Sequence, residues 1–287
     1  MSRNIAAVTL AALLASSGAH ALSISTTNSA TALSAAVLDP SSGISIIGGT
    51  EAVQGGATQS GTYSGFTIAP TSGSTPTLSL TNGIVLTSGS ANLPLTNTLN
   101  QFNPSFPGSG SNALLTTLSG LPTFDANAVS FSFTVASGNA VKADFVFGTD
   151  EFPTQTVTDI FGFFVDGINY ARFSGGELIS NTPGNPTNFI SNPVGGGLYG
   201  IEYNGLTRVL SVVGLLNTSL STHTVTIAVA DTSDTIFDSG VFVTGLRATN
   251  TGSQTGGITE TNIPEPASLA LLAIGAAALG FARRRRG

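Results

Sequence analysis

From about residue 128 the chain alternates strictly between apolar and polar positions. In 129-VSFSFTV-135, Val129, Phe131, Phe133 and Val135 fall on one face, with Ser130, Ser132 and Thr134 on the other. Ser137-Gly138-Asn139 turns the chain, and 141-VKADFVFG-148 repeats the pattern with Val141, Ala143, Phe145 and Phe147 inward, so the two runs read as a hairpin. A further hairpin, 161-FGFFV-165 to 169-NYARF-173, surrounds Asp166-Gly167, a dipeptide suited to a type I′ turn. Later strands are expected at 206–214, 223–231 and 240–249, and short β-like runs at 43-GISIIGG-49 and 83-GIVLTSG-89. Helical spacing occurs in 29-SATALSAAVLD-39, where Ala32, Leu33, Ala36 and Val37 recur, Ser29 or Thr31 can cap, and Pro40 stops the turn. The Ser/Thr/Gly/Asn-rich stretches 54–65 and 100–112 read as loops without a fixed period. These elements predict a mainly β fold, an antiparallel β-sandwich or jelly-roll-like domain with one short N-terminal helix.

The two ends follow other patterns. Arg3 precedes the apolar run 5-IAAVTLAALLA-15, and Ala19-His20-Ala21 follows, the layout of a secretory signal peptide cleaved after Ala21. At the other end, Ala267 to Ala282 carry no charge and Arg283, Arg284, Arg285 and Arg286 stop the run. Such a helix is roughly 24 Å long against a hydrocarbon core of ~30 Å, enough to span with some thinning of the bilayer. The arginines are expected to stay cytoplasmic, with everything before Pro264 outside. The chain therefore divides into a signal peptide (1–21), a β domain (22–249), a flexible linker (250–262) and a C-terminal segment (263–287) with a transmembrane helix at 267–282.

Composition narrows the chemistry. Cysteine is absent, so an exported domain of this size must be held by packing and by any metal it binds. Charged residues make up 8% of the chain, against about 25% in an ordinary soluble domain. Between Leu22 and Asn262 there are fourteen acids and four bases, which disfavours a nucleic-acid partner and fits cations or neutral glycans. Nine of the fourteen acids fall in two windows, Asp144 to Glu177 and Asp231 to Asp238.

Those windows hold the candidate site. Asp150 and Glu151 lie just past one predicted strand and Asp159 just before the next, while Asp231, Asp234 and Asp238 lie in a loop between two later strands. Adjacent strands would bring both loops to one rim, where several carboxylates repel unless a cation joins them. Oxygen-only ligands select a hard ion, Ca²⁺, with Glu151, Asp159, Asp231 and Asp238 as preferred ligands and Asp150 and Asp234 in reserve. The plainer alternative is a set of solvated loops with caps and Asx-turns. A glycoside hydrolase using Glu151 and Asp231 is the sharpest enzymatic alternative, though the chain has no tryptophan and only four tyrosines to stack on sugar. His223, the one histidine of the mature chain, reads as an exposed strand residue.

Two resemblances sharpen this. Pro264-Glu265-Pro266, a short apolar helix and the terminal arginines resemble a PEP-CTERM sorting signal. That resemblance implies export by the secretion machinery, processing by an exosortase, an initial inner-membrane tether, and an exopolysaccharide or biofilm setting at the cell surface. The order of 31-TALSAAVLDPSSGISI-46, 83-GIVLTSG-89, 145-FVFGTDEFP-153, 159-DIFGFFVDG-167 and 226-TIAVADTSDTIFDSGVFV-243 resembles the choice-of-anchor L domain of bacterial surface proteins. It implies a β-rich extracellular domain with no assigned enzymatic activity. Phe152 stands where that pattern has a tyrosine after its acidic pair, so no tyrosine role is carried over.

Overall fold

A computed structural model describes residues 22–70, 76–100, 102, 110–153, 158–180, 186–196, 198–252 and 256–260. In chain order the elements are β1 (Ser23–Thr26), α1 (Ala30–Val37), β2 (Ile44–Ile46), β3 (Ala52–Gln54), β4 (Ser60–Ser64), β5 (Thr67–Ile68), β6 (Leu78–Ser79) and β7 (Gly83–Thr87). There follow α2 (Ala113–Ser119), β8 (Thr123–Val135), β9 (Ala140–Thr149), β10 (Ile160–Val165), β11 (Ile168–Asn169) and β12 (Phe189–Ser191). The last are β13 (Gly205–Thr207), β14 (Leu210–Leu215), β15 (His223–Thr232), β16 (Ser239–Thr249) and β17 (Gly257–Glu260). Every strand pair is antiparallel.

Two sheets carry the fold. The larger runs β1-β4-β7-β16-β9-β13-β12, with β14 on β9 and β17 on β14; the smaller runs β11-β10-β15-β8-β2, with β3 on β8. Inward residues of both sheets form one core: Val129, Phe131 and Phe133 from β8 pack with Val141, Ala143, Phe145 and Phe147 from β9. The rings of Phe145 and Phe161 meet across the sheets at 4.9 Å. The outer face of the larger sheet is covered by a second cluster around Phe66, Tyr199, Tyr203 and Phe242, and that of the smaller sheet by α2 through Leu115.

Several expectations change. The runs 129–135 and 141–148 are not a hairpin: β8 pairs with β15 and β9 with β16, so the chain crosses between sheets at Ser137-Gly138-Asn139. Both strands turn their apolar faces into the shared core, β8 from the smaller sheet and β9 from the larger. A second helix, α2, stands beside the expected one; Asn112 caps it by accepting from Leu114 and Leu115 N–H at 3.1 Å, and Gly120 closes it at φ 73. The Asp166-Gly167 turn forms as expected, with φ 49 and 81 joining Val165 to Ile168. His223 is buried rather than exposed: its Nδ1 lies 2.8 Å from Asp166, which also accepts from Asn217 and Thr224 N–H. Gly257–Glu260, expected within the linker, pair with β14. Among the described residues no helix is long and apolar enough to cross a membrane; the expected span 267–282 lies outside them.

Candidate functional site

The alternation that builds the core continues beyond its apolar part. On β15, Val225, Ile227 and Val229 point inward, and the next position of that parity is Asp231. On β10 the inward set is Phe161, Phe163 and Val165, and one step before it comes Asp159. On β8, Val129 to Phe133 are preceded by Asn127 and Asp125. From the facing sheet, β9 runs Phe145, Phe147, Thr149 and then Glu151, while β16 begins with Ser239 before Val241 and Val243. One end of the core is therefore lined by acids and hydroxyls.

Register fixes their neighbours. Ile160 pairs with Ala230, which sets Asp159 opposite Asp231. Asp231 in turn pairs with Phe124, beside Asp125, where the register shifts and Asp125 adopts φ 44. In the other sheet Ser239 pairs with Thr149, and Asp150 N–H donates to the Asp238 carbonyl at 3.3 Å. Both acidic windows thus meet at one end of the sheets, but they are roofed rather than solvated. Asp159 and Asp231 are fully buried, Glu151 is 1% exposed, Asp238 3%, Asp150 4% and Asp125 6%. Strand ends here continue the inward parity of the core, which is why the expected open rim is closed.

Partners differ among them. One Asp159 oxygen accepts from the Ser239 hydroxyl at 2.5 Å, and the other has no hydrogen-bond partner. Neither Asp231 oxygen makes a hydrogen bond of ordinary geometry, although the Ser88 hydroxyl lies near enough to moderate its charge. Asp238 Oδ2 is likewise unpartnered, and its carboxylate is pressed onto Gly89, where a Cβ would overlap it. Asp150 points to the other face and is held by Phe102 and Asn204 N–H groups. Asp234 is half-buried and closes an Asx-turn onto Ile236 N–H at 3.2 Å.

Burial dominates the electrostatics and neighbouring acids add to it. It pushes Asp150 up to about 7, against the two backbone bonds, and Glu151 up to about 8, with Asp234, Asp231 and Asp150 adding. Asp231 rises to about 8 through burial, with Asp125 and Asp234 adding to it and Ser88 opposing, and Asp238 rises to about 9 through burial, Asp231, Asp125 and Asp150. Asp159 is held well above the carboxylate range by burial, Asp231 and Glu151. No positive charge contributes to any of these shifts. Lys142 and Arg247 sit side by side in the register at the far end of β9, where Arg247 lies 3.7 Å from Asp144, and Arg172 donates to the Gly176 carbonyl.

Sequence reasoning missed Asp125, Ser88, Ser239 and Tyr203, whose buried phenol lies over Gly148 and Gly240 with its pKa raised by burial and by Asp238. Inward parity was the available signal for Ser88 and Ser239. Among the described residues no group of three or more His, Asp or Glu side chains is closed into a metal-holding arrangement as it stands. A surface cavity of about 630 Å³ beside Leu121 and Phe124 is lined by none of the site's acids. The sorting residues Pro264, Glu265, Pro266 and Arg283 to Arg286, and Ala19 and Ala21 of the signal peptide, lie outside the described residues.

Neither the curated proteins nor the solved structures contain a match. The PEP-CTERM protein-sorting motif matches residues 262–286, and such signals are recognised by exosortase. Motif and domain together suggest an exported, surface-anchored protein of a non-enzymatic kind. The choice-of-anchor L domain matches residues 23–246, and the chain belongs to that family.

Proposed function

We propose that the protein is a non-enzymatic component of the cell surface or extracellular matrix, structural or adhesive in an exopolysaccharide or biofilm setting, and released from an initial inner-membrane tether by exosortase. Ca²⁺ completes its fold, held between the sheets by Glu151, Asp159, Asp231 and Asp238, with Asp150 and Asp234 in reserve. The observation that carries the calcium reading is that the buried carboxylates of Asp159, Asp231 and Asp238 carry unpartnered oxygens, with no positive charge among the causes of their pKa shifts. Buried anions without compensation are costly, and a hard dication is the partner that oxygen ligands select. The sorting motif and domain family support the surface assignment.

A hydrolase using Glu151 and Asp231 would need both carboxylates to face a cleft, and neither reaches solvent. Thermal melting of the full chain in chelator and in Ca²⁺ up to about 10 mM, above the ~0.1–1 mM typical of extracellular modules, tests the calcium reading. A clear, saturable rise in Tm is expected. An unchanged Tm would sink it.

A further inference from the structure

Asp159, Asp231 and Asp125 stand at the ends of β10, β15 and β8, three neighbouring strands of one sheet, the first two in the inward parity of their strands and Asp125 buried at the register shift beside them. Strands are spaced about 4.8 Å apart, so the three form a row with Asp231 in the middle and a gap on either side. Glu151 and Asp238 come from the facing sheet. Phe145 and Phe147 of β9 pack on Phe161 of β10, which sets Glu151, past the end of β9, over the Asp159 side of the row, while Asp238 precedes the neighbouring β16 and lies close enough to raise Asp159 as well.

We propose that this end of the core binds two divalent cations rather than one, bridged by Asp231, the first between Asp159 and Glu151 and the second between Asp125 and Asp238. The inference rests on the calcium reading above and sets its stoichiometry. Three observations carry it beyond an acidic cluster. The middle side chain of the row is fully buried with neither oxygen in a regular hydrogen bond, so it has capacity for a ligand on both sides. Unpartnered oxygens also occur on both flanks, Asp159 Oδ1 on one and Asp238 Oδ2 on the other. Charge arithmetic agrees: the five buried carboxylates Asp125, Glu151, Asp159, Asp231 and Asp238 carry −5 when ionised, so one dication leaves −3 and two leave −1. Two ions in neighbouring gaps would stand about one strand spacing apart, close to the ~3.5–4 Å of bridged two-metal sites.

The test is metal stoichiometry on the full chain, by equilibrium dialysis with Ca²⁺ and elemental analysis, repeated on Asp125→Asn, Glu151→Gln and Asp231→Asn. Two ions are expected in the parent, one in each flanking variant, and loss of the pair in Asp231→Asn. Should Asp231→Asn fail to fold, Mn²⁺ loaded into the parent gives an independent readout: a bridged pair shows an exchange-coupled EPR spectrum, and isolated six-line signals contradict the bridge. A parent stoichiometry of one overturns the second site and leaves the calcium reading standing. A stoichiometry of zero overturns both.

Discussion

The Ser239 hydroxyl donates to Asp159 at 2.5 Å, and the two residues belong to different sheets: Ser239 opens β16 of the larger, and Asp159 immediately precedes β10 of the smaller. That bond ties the sheets at the acidic end, and it leaves the other Asp159 oxygen without a partner. Asp159→Asn keeps a carbonyl oxygen for Ser239 and removes the charge. In chelator near pH 8 the variant is expected to melt about 2–4 °C or more above the parent, roughly 1 kcal/mol for a domain of this size. Its response to Ca²⁺ should be smaller than the parent's. Thermal melts with and without Ca²⁺ read both signs, and a variant less stable in both conditions contradicts the account.

The pH profile without metal follows from the same acids. Their folded values, about 7 for Asp150, 8 for Glu151 and Asp231 and 9 for Asp238, lie above the roughly 4 of an unfolded carboxylate. The unfolded chain then holds fewer protons than the folded one between those limits, so stability falls as pH rises. In chelator, Tm should decline steadily from pH 5 to pH 9. Excess Ca²⁺ should flatten or reverse that slope, because ionised carboxylates bind it best.

At the opposite end of β15, Asp166 has its pKa lowered: burial raises it, but bonds from Asn217, Thr224 and His223 outweigh burial. Here the folded state favours the anion, so this stability is present above the unfolded value and is lost in acid. Asp166→Ala strands three donors and should cost about 1–3 kcal/mol in denaturant melts at pH 7. The Ca²⁺ response should be unchanged, since the pair lies at the far end of the strand.

Gly89→Ala places a methyl group where the Asp238 carboxylate now lies. Calcium affinity is expected to fall at least tenfold by titration, with a smaller loss of stability in chelator, because displacing an uncompensated anion partly offsets the strain.

Phe161→Ala removes a ring that touches Phe145 and Phe147 across the sheets. A fully buried phenylalanine makes this a cavity of the costly kind, about 3–5 kcal/mol by chemical denaturation, the same with or without Ca²⁺.

Much of this was legible in the chain. Period-two alternation located β8, β9, β15 and β16, and the Asp-Gly dipeptide located its turn. Alternation gives the faces of a strand but not its partner, which is why Ser137-Gly138-Asn139 read as a hairpin rather than a crossing between sheets. The acids were found because they are concentrated, and their meeting followed from strand adjacency. Their burial was missed because acids past a strand end look like loop residues. Counting by twos from Phe147 reaches Glu151 and from Val229 reaches Asp231, so the inward parity of these two was already present. Asp125 escaped because no second acid stands near it in sequence. The α2 helix escaped because seven residues give too few turns for a periodic signal, though Asn112 and Gly120 mark its ends.

The short β17 strand gives the domain a particular mechanical connection to its tail. Glu260 is paired with Leu210, and only four steps of chain, at most about 14 Å fully extended, separate it from Pro264. A pull applied at Glu260 is passed through its register partner Leu210 straight to β14, a strand that contributes Leu210 and Val212 to the core.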